Sequence, residues 1–202
     1  MATQAKACLT SEEYLHIERN ADVKHEFLNG EMFAKSGASP THVMIVSNIV
    51  AALHPQLRHG PCVVYSTDLR VKVKASGIFT YPDVVVICGA LEFDDEIRDT
   101  VLNPTLVIEV LSESAKDYDR GAKFEHYRKL GSLREYVLVA QDDCHVEHFV
   151  RQPDDRWLLS ETNSQDSTLA LAAISCRLEV RDIYEKVDLA ATGPRTGKVI
   201  PT

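Results

Sequence analysis

Apolar positions along the first third of the chain follow helix and strand periods in turn. Thr10 and Glu13 form a capping-box pattern, which predicts a helix over 11–19. Asn29-Gly30 between two short runs predicts a hairpin that pairs 25–28 with 31–34. Pro40 opens a second predicted helix, and its apolar stripe fades near 55–59.

The rest of the chain alternates between apolar runs and polar turns. Strands are predicted over 62–66, 68–74, 83–88 and 105–112, with an acidic loop over 89–104 that has room for a short helical piece. A helix over 117–130 ends at Gly131. Further strands are predicted over 135–140, 145–150 and 156–160, and a short helix over 183–187. This order predicts an α/β domain with a central mixed β-sheet flanked by helices.

Composition places the chain among globular domains. With 202 residues and 45% hydrophobic positions, one domain is expected over 9–188, between an N-terminal tail (1–8) and a disordered C-terminal tail (189–202). No apolar run reaches the roughly 20 residues of a membrane span, and the N-terminus lacks the apolar core of a signal peptide. We therefore predict a cytoplasmic protein without a membrane partner.

Charge and cysteine content exclude some classes of function. The net charge of −8 weighs against a purely electrostatic nucleic-acid binder. Five scattered cysteines argue against a disulfide framework and a thiolate zinc site, so Cys62 and Cys88 are expected to be core residues. His145 and His148 diverge along a strand, and this argues against zinc there as well.

Glu109 is the polar residue that fits its surroundings least. It interrupts the run 106–111, which is otherwise a strand buried on both faces, and Asp83 heads a similar run over 83–88. A buried charge costs several kcal/mol unless it is paired. Two carboxylates on apolar strands suit a hard divalent cation, so Asp83 and Glu109 are predicted metal ligands, with Mg²⁺ as cofactor and Mn²⁺ as substitute. The alternative is a turn aspartate and a glutamate paired with a neighbouring cation.

The motifs together resemble a known family. Tyr81-Pro82-Asp83, Ile108-Glu109-Val110-Leu111-Ser112, Asp119-Arg120-Gly121-Ala122-Lys123 with Tyr127, and Glu135-Tyr136 are similar to the Uma-type endonucleases. That family belongs to the restriction-endonuclease-like superfamily, whose signature is PD…(D/E)xK. The resemblance runs from about residue 9 to 184. It implies a restriction-endonuclease-like fold, Mg²⁺-dependent cleavage of DNA, and a homodimer.

One departure from the superfamily signature concerns its lysine. Two residues after Glu109 stands Leu111, whereas the Uma-type pattern places the lysine on the next helix, at Lys123. Asp119, Lys123 and Tyr127 are spaced to form one helical stripe, so Lys123 reaches the site if that stripe faces the sheet. There it would orient or deprotonate a water, or stabilise charge on the phosphate. The alternatives are a surface Asp119–Lys123 pair and, as a weaker substitute, Lys116.

Other candidates have ordinary explanations beside functional ones. Glu26 matches a family hairpin and is predicted to assist catalysis, or is a solvent-facing strand residue. His42 at a helix start and Tyr127 are predicted substrate contacts, although a lone histidine is often structural.

A separate cationic pattern lies on the strand predicted over 68–74. Arg70, Lys72 and Lys74 share one strand face and either track a phosphate backbone or protect a solvated edge strand.

The predicted function is a Mg²⁺-dependent DNA endonuclease that hydrolyses phosphodiester bonds. Asp83, Glu109, Lys123 and Glu26 are its predicted catalytic residues. Two alternatives stay open: a non-catalytic DNA- or protein-binding module on the same scaffold, and a hydrolase of RNA or another phosphate ester.

Overall fold

The computed structural model describes residues 8–112 and 116–189. The predicted tails, 1–8 and 189–202, lie outside this part of the chain except for Cys8 and Leu189. The helices are α1 Ser11–Glu18, α2 Pro40–Leu57, α3 Lys116–Tyr118, α4 Phe124–Tyr127 and α5 Val180–Ile183; a π-helical turn, Asp119–Lys123, joins α3 to α4, and a 3-10 turn covers Ala172–Ile174. The strands are β1 His25–Leu28, β2 Glu31–Ala34, β3 Cys62–Ser66, β4 Arg70–Val73, β5 Ile78–Thr80, β6 Val84–Cys88, β7 Thr100–Val101, β8 Leu106–Leu111, β9 Glu135–Ala140, β10 Val146–Arg151, β11 Trp157–Thr162, β12 Thr168–Leu171 and β13 Cys176–Glu179.

The described strands form three sheets, whereas the sequence predicted one central sheet. A six-stranded sheet has the order β11-β10-β9-β8-β6-β3, and only its β8–β9 pair is parallel. A five-stranded sheet has the order β2-β1-β5-β4-β7, and β12 pairs with β13 separately. The mixed α/β class is confirmed, and the six-stranded sheet takes the central place.

Both faces of the six-stranded sheet are buried. Residues of β6 and β8 alternate between two apolar clusters, one shared with α2 and α5 and the other with α4 and the five-stranded sheet. Burial on both faces explains why these strands are apolar at nearly every position. Glu109, only 2% exposed, lies among them.

Local signals in the first forty residues gave element bounds close to those observed. The Thr10 side chain accepts a hydrogen bond from the backbone of Glu13, while the Glu13 carboxylate accepts one from the Thr10 backbone, so the capping box is complete. In the hairpin turn, Asn29 and Gly30 have φ of 51° and 83°, the left-handed conformation of a type I′ turn.

The prediction from the sequence mainly missed short strands. The sequence did not predict β5, β7, β12 or β13, and it expected a short helix over 183–187 where α5 ends at Ile183. It also allowed a helical piece within 89–104, where the structure has β7 instead. Strands of two to four residues carry too few positions for a period of two to stand out.

Cys62 and Cys88 form a disulfide, so the expectation of two unlinked core cysteines was wrong. They are directly opposite each other in the antiparallel β3–β6 pair, with Cα atoms 3.9 Å apart. Strand register brings them together, and their separation of 26 residues in the sequence gave no sign of it.

No helix in the described ranges is both long and apolar enough to cross a membrane.

Candidate active site

The two acidic residues of the motifs meet where the chain passes from one sheet to the other. β5 belongs to the five-stranded sheet and β6 to the six-stranded sheet, and Tyr81-Pro82-Asp83 connects them. The β6–β8 register pairs Val84 with Ile108, so Asp83 lies opposite Glu109 one position further on. Asp83 Oδ2 accepts a hydrogen bond from the Val110 backbone at 2.8 Å, and the Asp83 backbone donates to Glu109 Oε2 at 3.4 Å. These contacts hold both carboxyl groups side by side, at the end of the sheet where β6 begins.

Lys123 reaches these carboxyl groups from the helical segment that follows β8. Its Nζ lies 2.9 Å from Glu109 Oε1, 3.2 Å from Glu26 Oε1 and 3.3 Å from Asp119 Oδ1. The predicted stripe of Asp119, Lys123 and Tyr127 faces the sheet, since all three residues are buried. The lysine therefore belongs to a buried charge cluster and is not part of a surface pair.

Tyr127 and Thr80 connect the remaining members of the cluster. The Tyr127 hydroxyl donates to Glu109 Oε1 at 3.0 Å and lies 3.3 Å from Thr80 Oγ1, which donates to Glu26 Oε1 at 2.6 Å. Glu26 is thus directed inward from β1 and is held in place. Tyr127, predicted as a substrate contact, is fully buried behind Glu109.

Two further groups bind the other side of Asp83. His42 Nε2, near the start of α2, lies 3.2 Å from Asp83 Oδ1. Lys35 Nζ lies 3.5 Å from the same oxygen and donates to the Tyr81 carbonyl at 2.6 Å. Reasoning from sequence missed Lys35, because it follows β2 without belonging to any motif.

The pKa values of Asp83 and Glu109 are shifted in opposite directions. Burial raises the pKa of Asp83, but the hydrogen bond from His42 and the charge of Lys35 outweigh burial and lower it to about 2. Burial raises the pKa of Glu109 to about 8; Lys123 opposes this rise and Asp83 reinforces it. Burial likewise raises the pKa of Asp119. Asp83 is therefore ionised at neutral pH, whereas Glu109 holds a proton for much of the time.

The pKa of Lys123 lies well above its ordinary range. Burial alone would lower it, but Glu109, Glu26 and the other acidic neighbours outweigh burial. One ammonium is shared among three carboxyl groups, so the lysine stays charged while the most buried carboxyl group tends to stay protonated.

The donor set of this cluster suits a divalent cation. Four carboxyl groups (Glu26, Asp83, Glu109 and Asp119) surround two ammonium groups (Lys35 and Lys123), which leaves two negative charges when all are ionised and His42 is neutral. Hard cations such as Mg²⁺ prefer carboxylate oxygens, and such an ion would balance this surplus. Asp83 and Glu109 would hold it.

A cleft of about 1350 Å³ gives access to the cluster. Its lining includes all four carboxyl-bearing residues, both lysines and His42, together with residues of α2 and of the segment after β2. The volume exceeds the roughly 300–1,000 Å³ of a typical small-molecule pocket, so there is room for part of a polymer.

The predicted cationic strand lies away from this cleft. Arg70 is buried and donates to Asp99 at 2.6 Å, while Lys72 pairs with Asp94 at 2.8 Å. Lys74 follows β4 and is exposed. β4 lies between β5 and β7, so it is an inner strand, and the edge-strand explanation fails.

Another group of possible ligands lies at the start of β10 and on β11. His145, Glu147 and Glu161 each offer one ligand atom, and these three atoms lie within 4.8 Å of one another. Arg120 already pairs with Glu147 at 2.6 Å, and His148 faces away and bonds Glu135. The two histidines diverge, as their strand spacing predicted.

The comparisons with known proteins identify the family. A family model described as "Uma2: Putative restriction endonuclease" matches residues 11–181. The chain belongs to the Uma2 family. Two Synechocystis proteins, both described as uncharacterized, are similar over most of their length. Protein sll1609 is 34% identical over 169 residues, covering 84% of this chain and 96% of the relative. Protein slr1290 is 32% identical over 176 residues, covering 87% and 91%.

A solved structure supports the fold. It is described as a crystal structure of a putative nuclease belonging to DUF820 from Anabaena variabilis, and it aligns with a TM-score of 0.71. The alignment covers 87% of this chain and 97% of that protein at 18% identity. The nuclease-like fold and the Uma2 membership predicted from the sequence motifs are therefore confirmed.

Proposed function

We propose that this Uma2 protein is a Mg²⁺-dependent DNA endonuclease, with Mn²⁺ as a substitute. One observation carries the proposal: Asp83, Glu109 and Lys123 converge in one cleft, within a cluster of four carboxyl groups and two ammonium groups. Membership of a family described as "Putative restriction endonuclease" supports DNA as the substrate.

Each residue of the cluster has a role in this proposal. A bound Mg²⁺ would polarise the scissile phosphate and make a water more acidic. Asp83 and Glu109 would hold the ion, while Glu26 and Asp119 hold Lys123 in place. Because its pKa is held well above the ordinary range, Lys123 acts as a fixed positive charge and not as a base. In-line attack by water would form a new P–O bond as the bond to the leaving oxygen breaks, and the leaving oxygen takes up the proton that the water gives up.

A cleavage assay on plasmid DNA and on circular single-stranded DNA, with Mg²⁺ or Mn²⁺, tests the proposal. We expect the wild type to nick, and Glu109→Gln and Lys123→Met to lose at least 100-fold in rate, about the effect of removing one preorganised charge. Glu161→Gln is the matched control, since it removes a carboxylate that is outside the cleft and 54% exposed. It should cut at the wild-type rate. Equal cleavage by all four preparations would reveal a contaminant and refute the site.

The same assay separates the rival functions. A wild-type protein that binds DNA but never nicks it would favour the non-catalytic binding module. Cleavage of RNA alone would favour the other hydrolase. A homodimer is expected by analogy with enzymes that cut both strands, and light scattering tests it. The cytoplasmic location is also a prediction, which cell fractionation tests.

A further inference from the structure

The cleft continues beyond the carboxyl groups along two walls with exposed apolar side chains. One wall is β2 and its continuation, where Phe33 is 49% exposed. The other is a stripe of α2 formed by Val43, Val46 and Val50, in which Val43 is 52% exposed. Val46 is buried and Val50 is half-buried, and both also pack against the core between α2 and the six-stranded sheet, so Val43 is the part of this stripe that core packing leaves exposed.

Strand register places Phe33 next to the proposed catalytic cluster. Phe33 is the cross-strand partner of Glu26, so both side chains project from the same face of the five-stranded sheet. Lys35 follows two positions later, where the backbone still pairs with Lys24, and it reaches Asp83. Tyr118, which is half-buried, contributes a second aromatic ring to the lining near the carboxyl groups. Aromatic surface therefore lies directly beside an ammonium group and the predicted metal ligands.

The charge of the lining disfavours a duplex backbone along the cleft. Among the described residues, its lining contains six acidic residues and three lysines but no arginine. Lys24 pairs with Asp68, and Lys123 is enclosed by three carboxyl groups. Lys35, whose side chain is 31% exposed, is the lysine best placed for one phosphate. A duplex presents a double row of phosphates, which requires a row of cations.

We propose that the cleft binds an unpaired nucleotide of single-stranded DNA, which rests on the proposed endonuclease function. The base lies against the exposed side chains of Phe33 and Val43, and its phosphate contacts Lys35 beside the predicted metal ligands. A duplex keeps the faces of its bases stacked inside, so these apolar walls would contact little of it. An unpaired base exposes a face that stacks on an aromatic ring.

Fluorescence anisotropy with matched single-stranded and duplex oligonucleotides tests the proposal, with Ca²⁺ in place of Mg²⁺ and intact DNA checked on a gel. We expect tighter binding of the single strand. Phe33→Ala should weaken that binding roughly 5- to 150-fold, the range for losing one stacked base. Lys35→Met should reduce the slope of log affinity against log salt by about 0.7, and Lys35→Arg should retain it.

Two variants control for lost surface and lost charge. Ile97→Ala trims an apolar side chain that is 63% exposed and outside the cleft, and Lys129→Met removes an exposed charge elsewhere. Both should bind like the wild type. Circular dichroism of each variant checks its folding.

The outcomes separate this inference from the endonuclease proposal. Cleavage that depends on Glu109, combined with equal or better binding of duplex and no effect of Phe33→Ala, would overturn the single-strand inference alone. Loss of self-association in Phe33→Ala without loss of DNA binding would assign the walls to a second copy of the chain and also overturn it. A wild type that neither binds nor cuts any DNA would overturn both.

Discussion

Replacing Lys123 with methionine tests the buried charge cluster most directly. Three carboxyl oxygens lie 2.9–3.3 Å from its Nζ, and its side chain is 6% exposed. At an effective dielectric constant of about 20, each such contact is worth about 5 kcal/mol before desolvation is subtracted. Removing one partner of a buried ion pair typically costs about 3–5 kcal/mol, because the other charge is left without compensation. We expect Lys123→Met to lower the free energy of unfolding by that amount at neutral pH.

Urea unfolding in EDTA measures this loss, which corresponds to a decrease in Tm of roughly 6–20 °C for a domain of this size. Arg181→Met is the control, since its pair with Asp166 is 3.8 Å apart and both side chains are more than half exposed. That variant should stay within about 1 kcal/mol of the wild type. Adding Glu26→Gln to Lys123→Met should recover part of the stability, because, against the effect of burial, Lys123 lowers the pKa of Glu26, and the loss of the lysine leaves that carboxylate without compensation.

The destabilisation should also depend on pH. The folded-state pKa of Glu109 is raised from 4.5 to about 8, so the folded protein holds a proton that the unfolded chain has lost. The stability that this proton confers is complete below about pH 4.5 and disappears as pH rises through about 8. Lys123→Met should therefore lose less stability at pH 5 than at pH 8. Equal stability of Lys123→Met and Arg181→Met at pH 8 would refute the buried cluster.

Three further predictions follow from the same contacts. Glu109→Gln should raise Tm in EDTA, because burial opposes the ionisation of the carboxyl group that it removes. Calorimetry should show that this variant no longer binds Mn²⁺. A lower Tm with intact Mn²⁺ binding would contradict this prediction. In the wild type, Mn²⁺ affinity should rise from pH 6 to pH 9 with release of a proton, because the ion displaces the proton of Glu109, and calorimetry in two buffers of different ionisation enthalpy detects that release. Tyr127→Phe should cost about 1–3 kcal/mol in urea unfolding, because Glu109 Oε1 loses its hydroxyl donor, whereas Tyr65→Phe on β3 should change little.

Part of the site was predictable because its residues break local patterns. Glu109 interrupts an apolar strand, and Asp83 heads another, so each was visible as an exception to hydrophobic burial. The spacing of Asp119, Lys123 and Tyr127 gave one helical face, and the structure turns that face to the sheet. These signals lie within short windows, where a period of 2.0 or 3.6 residues fixes which side chains point together.

Pairing across the fold could not be obtained in this way. Arg70 and Lys72 form a cationic row in the sequence, yet Asp99 and Asp94 neutralise them from a loop more than twenty residues away. Periodicity states which face of a strand a residue occupies, but not which residue lies across from it.

The sequence by itself determined the buried strands, the capped first helix and the Asn29-Gly30 hairpin, since each depends on neighbouring residues. Its motif residues also identified the family. Only the tertiary structure decided that the strands divide into three sheets and that Cys62 bonds Cys88. It also decided that Lys35 lies beside Asp83. These outcomes depend on strand register and on contacts between distant segments, where the geometry of the whole fold brings together groups that no local pattern relates.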